Sequence, residues 1–165
     1  MTNVEKRLSE NHITLPDCPV PVASYIPAQT AGNFVFASGQ AATVDGKLLY
    51  AGKVGTEISL EDAYQSARIA AIRCISELRS VADLDRLRIV RVTGFVNAGP
   101  DLTLQPRVVN GASELFELAF GERGRHSRIA IGAGSLPDGA SVEVDVVAYL
   151  ERKGPPCPAV QTVCG

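Results

Sequence analysis

The residues of this chain best placed to do chemistry lie near its C-terminal end. Arg128 falls in Ser127–Gly132, and Glu143 and Asp145 fall in Ser141–Glu151. Both segments are rich in β-branched and aliphatic residues and are separated by the turn-forming run Leu136-Pro137-Asp138-Gly139, so both read as strands. Side chains alternate across a strand. Val142, Val144, Val146, Ala148 and Leu150 therefore share one face of the last strand, and Glu143, Asp145, Val147, Tyr149 and Glu151 share the other. In the preceding strand Ile129 and Ile131 oppose Arg128, Ala130 and Gly132. The aliphatic sets are expected to pack under helices, which puts Arg128 on the same side as Glu143 and Asp145. Two readings of Arg128 are open from the residues alone. It is a structural ion-pair partner of Glu143 or Asp145, or it is a receptor for an anionic ligand, since its planar fork suits a carboxylate. The mixed face is too apolar for idle solvent surface and has no helix left to cover it. A second copy of the chain is expected to cover it, giving a homo-oligomer. An arginine covered in this way needs a partner or a ligand.

The elements that must position these groups are legible upstream. Ser59-Leu60-Glu61-Asp62 has the form of a helix start, with Ser59 as cap and acids in the first turn. The helix is predicted to run to about Val81, with Ala63, Ala67, Ala70, Ala71, Cys74, Ile75 and Leu78 on one face. A second helix is predicted from near Pro106, tolerated in a first turn, to Phe120, capped by Gly121. Its stripe is Val108, Ala112, Leu115, Phe116 and Ala119. Asn33–Ser38 and Arg88–Asn97 read as further strands, the latter with Val90, Val92, Gly94 and Val96 on one side. Asp45-Gly46 marks a turn, followed by an extended piece over Lys47–Lys53. Strands, a long helix, a strand, a helix and strands again predict an α+β two-layer sandwich, with both helices on one face of the sheet. A charged helical lead-in over 1–18 precedes a domain over 19–152, and a Pro-rich tail over 153–165 follows.

Composition narrows the function classes. The 165 residues are 45% hydrophobic and 21% charged, ordinary for one globular domain. A net charge of −2 argues against an electrostatic nucleic-acid binder. No apolar run is long enough to span a bilayer, and the polar start Met1–Lys6 does not read as a signal peptide, so a cytoplasmic location is expected, with no membrane partner. Cys18, Cys74, Cys157 and Cys164 form no C-x-x-C pair and neither His12 nor His126 lies near one, which disfavours a structural zinc. Cys74 reads as core, and a Cys157–Cys164 disulfide is disfavoured in a reducing compartment. His126 reads as a loop residue, and Arg123 and Arg125 as solvated charges.

The run His126-Ser127-Arg128-Ile129-Ala130-Ile131-Gly132, then Ser135-Leu136-Pro137 and Val142–Ala148, resembles the signature of the RidA/YjgF family. These are reactive intermediate (enamine/imine) deaminases, also labelled L-PSP endoribonucleases. Tyr25 with Gly32–Gln40 resembles the family's opening strands, and Asn110–Phe116 its second helix. The resemblance covers roughly Pro19 to Glu151. It implies a chorismate-mutase-like fold and a homotrimer with clefts between subunits, sheets inward and helices outward. It implies that Arg128 binds a carboxylate and that Glu143 positions a water. Tyr25, Ser38, Gly39 and Asn110 would line the pocket, Tyr25 and Ser38 donating hydrogen bonds. Ala130 stands where the best-known deaminases carry a cysteine, used mainly through its backbone carbonyl. The activity implied is hydrolysis of small 2-imino or enamine acids to 2-keto acids and ammonia, with no cofactor, no metal and no nucleophilic side chain. A non-catalytic trimer that binds or senses small carboxylates is the alternative, and the endoribonuclease label sits poorly with the acidic balance and few aromatics.

Overall fold

The structure, a computed structural model, describes residues 1–21 and 23–151; the tail with Cys157 and Cys164 lies outside the described residues. The long helix forms as its pattern requires. α2 spans Leu60–Val81, and the Ser59 hydroxyl accepts from the Asp62 N–H at 3.0 Å. Its Ala63, Ala67, Ala70, Ala71, Cys74, Ile75 and Leu78 are all fully buried. The small residues let a second helix, α3 (Gln105–Phe120), approach closely. At Gly111 a side chain would occupy the place of the Tyr64 backbone carbonyl, so only glycine permits this contact. Gly121 ends α3 with φ 63°, the left-handed value that favours glycine.

Both helices lie on one face of a five-stranded sheet. Its strands are β1 (Ala28–Ala31), β2 (Phe34–Ala41), β5 (Leu87–Asn97), β6 (Ser127–Ala133) and β7 (Val142–Leu150). They run in the order β1-β2-β7-β5-β6. Only β5 and β6 are parallel, and α3 makes the crossover between them, as a parallel pair requires. The sheet is therefore mixed and the α+β layering is as the sequence predicts. The β3–β4 hairpin (Thr43–Val44 with Lys47–Leu48) turns at Asp45-Gly46, but the extended piece ends at Leu48, short of Lys53.

A third helix, α1 (Asn3–Glu10), comes from the lead-in. A Thr2–Glu5 capping box starts it, and the Asp85 carboxylate accepts from the Asn3 and Val4 N–H groups. Val4 and Leu8 are fully buried in the same core as α2 and α3, so the lead-in is packed structure. Among the described residues no helix is long and apolar enough to cross a membrane.

Two face assignments differ from expectation. In β5 the ladder pairs Ile89 with Ala148 and Arg91 with Val147, so Val90 is an extra residue in a bulge. Ile89 and Val92, not Val90 and Val92, point into the core. In β6 the aliphatic pair points outward: Ile129 and Ile131 are 42% and 46% exposed on the helix-free face, the face that also carries Phe34 and Phe36 of β2 at the other side of the sheet. Arg128 and Ala130 point to the helix side, in register with Val92 and Gly94, where Gly94 is filled by Val109 of α3.

Candidate functional site

The expected site residues fall into two groups. The first surrounds Glu143. Between Ala37 and Gln40 the β2–β7 register shifts, so Ser38 and Gly39 form a bulge opposite Asp145. The bulge lets the Glu143 side chain lie over the backbone: a Cβ on Gly39 would stand in the place of Glu143 Oε1. Glu143, Gly39, Ser38 and Tyr25 line a cleft of about 770 Å³, with Arg73, Pro137 and Asp138 on its other walls. The Ser38 N–H donates to the Pro27 carbonyl at 2.8 Å and its hydroxyl to the Ile26 carbonyl at 2.8 Å. Ser38 therefore ties the Tyr25 loop to the strand, and its proton is already committed; it presents a lone pair, not the expected donor, to the cleft. Burial pushes the Glu143 carboxyl above the usual range, and the Asp145 charge on the same face pushes it the same way.

Behind this cleft a polar cluster reaches into the core. The Arg73 Nε donates to Gln40 Oε1 at 2.9 Å, and Gln40 Nε2 donates to Glu77 Oε1 at 2.7 Å. Glu77 is fully buried on α2, and burial pushes its carboxyl up to about 8 against the pull of the Arg73 guanidinium. The cluster braces the bulge from below through Gln40. On the sheet's open face Thr93 and Asp145 are ladder partners in β5 and β7, and Thr93 Oγ1 and Asp145 Oδ1 are buried with no hydrogen-bond partner among the described residues.

The second group surrounds Arg128 at the sheet's β6 edge. Arg128 Nη1 donates to Asn110 Oδ1 at 2.8 Å and to Ser113 Oγ at 3.1 Å, both on α3. Ala130 follows it on the same side of β6, packed against the core. No carboxylate lies within ion-pair distance of Arg128 among the described residues. Glu143 pairs across the ladder with Phe95, on the face opposite Gly94 and Arg128. The structural ion pair of Arg128 with Glu143 or Asp145 is thus absent within the protomer, because the sheet separates them.

Arg128, Asn110 and Ala130 therefore come together, as do Tyr25, Ser38, Gly39 and Glu143, but the two groups do not meet in one chain. Sequence reasoning missed Ser113, Gln40 and Arg73. Ser113 stands three residues after Asn110, one helical turn along the same face, which is the signal that pairs it with Arg128. Gln40 and Arg73 carried no spacing that joins a strand to a helix. Arg123 is not a solvated charge: its Nη1 donates to the Asp85 and Leu87 carbonyls.

Comparison with known proteins gives the family. Residues 5–150 match a family model described as "YjgF/chorismate_mutase-like, putative endoribonuclease". A curated relative, Protein TCP17 of Trypanosoma cruzi, is 36% identical over 152 residues, covering 90% of this chain and 95% of that protein. The crystal structure of Atu1372 from Agrobacterium tumefaciens, a protein of unknown function, is similar at TM-score 0.84 and 35% identity, covering 90% of this chain and 93% of that one. A "putative endoribonuclease" from Shewanella oneidensis MR-1 is similar at TM-score 0.86 and 30% identity, covering 90% of this chain and all (100%) of that one.

Proposed function

The chain belongs to the YjgF/chorismate-mutase-like family, and on that premise we propose that it hydrolyses small 2-imino acids in a cleft completed between copies of a homotrimer. One observation carries this reading. The guanidinium suited to a carboxylate and the carboxylate suited to a water lie on opposite faces of one sheet, each without a charged hydrogen-bond partner among the described residues. The apolar face with Phe34, Phe36, Ile129 and Ile131, each 42–46% exposed, supports association of copies through the sheet.

In this reading Arg128 of one copy grips the substrate carboxylate and fixes the imine carbon beside Glu143 of its neighbour. Glu143 takes a proton from a water as the water oxygen attacks that carbon, the C=N π pair moves onto nitrogen, and Glu143 passes the proton to that nitrogen. The carbinolamine hydroxyl then gives its proton to the nitrogen by way of Glu143 as C=O forms and C–N breaks, so ammonia leaves with the bonding pair and a 2-keto acid remains. A carboxyl raised by burial is a stronger base than an ordinary one and suits this step. Asn110 and Ser113 hold Arg128 with neutral acceptors, so its charge stays available to the ligand.

The test supplies purified protein with imine generated by a pyridoxal-phosphate dehydratase and follows keto acid. Wild type is expected to accelerate its release over buffer and Arg128→Ala to lose that gain. Carboxylate binding through Arg128 without any acceleration would favour a sensor, and RNA cleavage abolished by the same substitution would favour the nuclease label.

A further inference from the structure

We infer that Ser113 and His126 are positioning residues that set the orientation of the Arg128 guanidinium, an inference that rests on the reading of Arg128 as a carboxylate receptor. The hydrogen bonds fix the direction of each proton in the His126–Ser113–Arg128 relay. His126 Nδ1 lies 2.6 Å from the Gly124 carbonyl oxygen. A carbonyl only accepts, so Nδ1 carries the ring proton of the neutral imidazole. Nε2 is then an acceptor, and it lies 3.0 Å from Ser113 Oγ, so the Ser113 hydroxyl donates to it. The lone pairs of that same oxygen are thereby turned toward Arg128 Nη1, which donates at 3.1 Å. The Phe116 ring, its centroid 6.0 Å from that of the imidazole and its plane inclined at 81°, packs against His126 in a T-shaped contact.

The consequence for Arg128 is geometric. Its Nη1 is committed to Asn110 and Ser113, while no hydrogen bond reaches Nε or Nη2 among the described residues. The Nε/Nη2 edge is the free fork for a bidentate carboxylate. If His126 is protonated, Nε2 becomes a donor and competes with Arg128 for Ser113 Oγ, and a second positive charge stands beside the guanidinium. The ring resists this. Burial pushes its pKa down and the Arg128 charge adds to that, while the Gly124 carbonyl and the Glu117 carboxylate on α3 pull the other way. Grip on a carboxylate should therefore be full at neutral pH and weaken as pH falls through the His126 titration.

Pyruvate, binding measured calorimetrically from pH 8 to pH 5, is the probe, with ¹⁵N spectra of His126 recorded alongside. Wild type is expected to show the Nδ1–H tautomer at neutral pH and affinity that drops in step with His126 protonation. Ser113→Ala should bind about tenfold more weakly at pH 8 and lose the His126-linked step, because one neutral acceptor to a charged donor is gone. Ser113→Thr keeps the hydroxyl and should restore both, and thermal melts confirm that each variant folds. An Nε2–H tautomer, or Ser113→Ala binding as wild type with the same pH step, overturns the inference while leaving Arg128 as the receptor. Absence of pyruvate binding by wild type overturns the Arg128 reading and this inference with it.

Discussion

The Arg128 and Glu143 regions are opposites in how they treat a charge. Arg128 is held by two neutral oxygen acceptors at 2.8 and 3.1 Å, with a third group, His126, holding one of them. Glu143 is half-buried beside the Asp145 charge, and both push it toward its protonated form. The difference teaches a division of labour. A group that must grip needs fixed direction, and helix α3 supplies it. In the proposed reaction the group that takes a proton needs raised basicity, and burial together with the Asp145 charge supplies it at Glu143.

The first way to break this contrast is to remove the grip. Arg128→Ala should lower kcat/KM for imine hydrolysis by about 10³-fold, as expected for loss of a desolvated charge pair, with little change in melting temperature. Removing the base instead should act on turnover. Glu143→Gln should lower kcat about 10²-fold and leave KM nearly unchanged. In wild type the acid limb of the rate should lie above the ordinary carboxylate range, since Glu143 must be ionised to act and its pKa is raised.

The cluster beneath the bulge gives a contrast in stability rather than rate. Glu77 is protonated in the fold up to about 8, whereas the unfolded chain ionises it near 4.5. Between those values the unfolded state binds fewer protons, so stability falls as pH rises through that window. Glu77→Gln removes this slope and should be the more stable protein at pH 8, by on the order of 2 kcal/mol, in denaturant titrations at pH 5 and pH 8. Smaller still, Gly39→Ala should displace the Glu143 carboxylate and lower kcat about tenfold in steady-state assays of imine hydrolysis.

Much of this was legible in the sequence where periodicity and burial agree. The α2 stripe and the Ser59 cap formed as read, and the alternation of β7 placed Glu143 correctly on the helix-free face. Alternation says which residues share a face, not which face is inside. In β6 that distinction decides the site: Ile129 and Ile131 suggest a core face, yet in this edge strand it is Arg128 and the small Ala130 that turn toward α3, with Ala130 packed against the core. Arg128 was thus placed on the wrong side from the residues alone. The Val90 bulge shifted β5 by one residue, which no alternation rule reveals. β1 went unread because Ala-Gln-Thr-Ala carries little strand preference. The joining of Gln40, Arg73 and Glu77 needed the packing of α2 on β2, which is a tertiary fact.

The central claim is that each working cleft takes Arg128 from one copy and Glu143 from another. Arg128→Ala and Glu143→Gln chains, co-expressed with different tags and purified through both, give only mixed trimers. If the two halves come from different copies, one cleft in three carries both intact side chains, and activity should return to about a third of wild type from two inactive parents. A doubly tagged mixture as inactive as either parent would contradict the account.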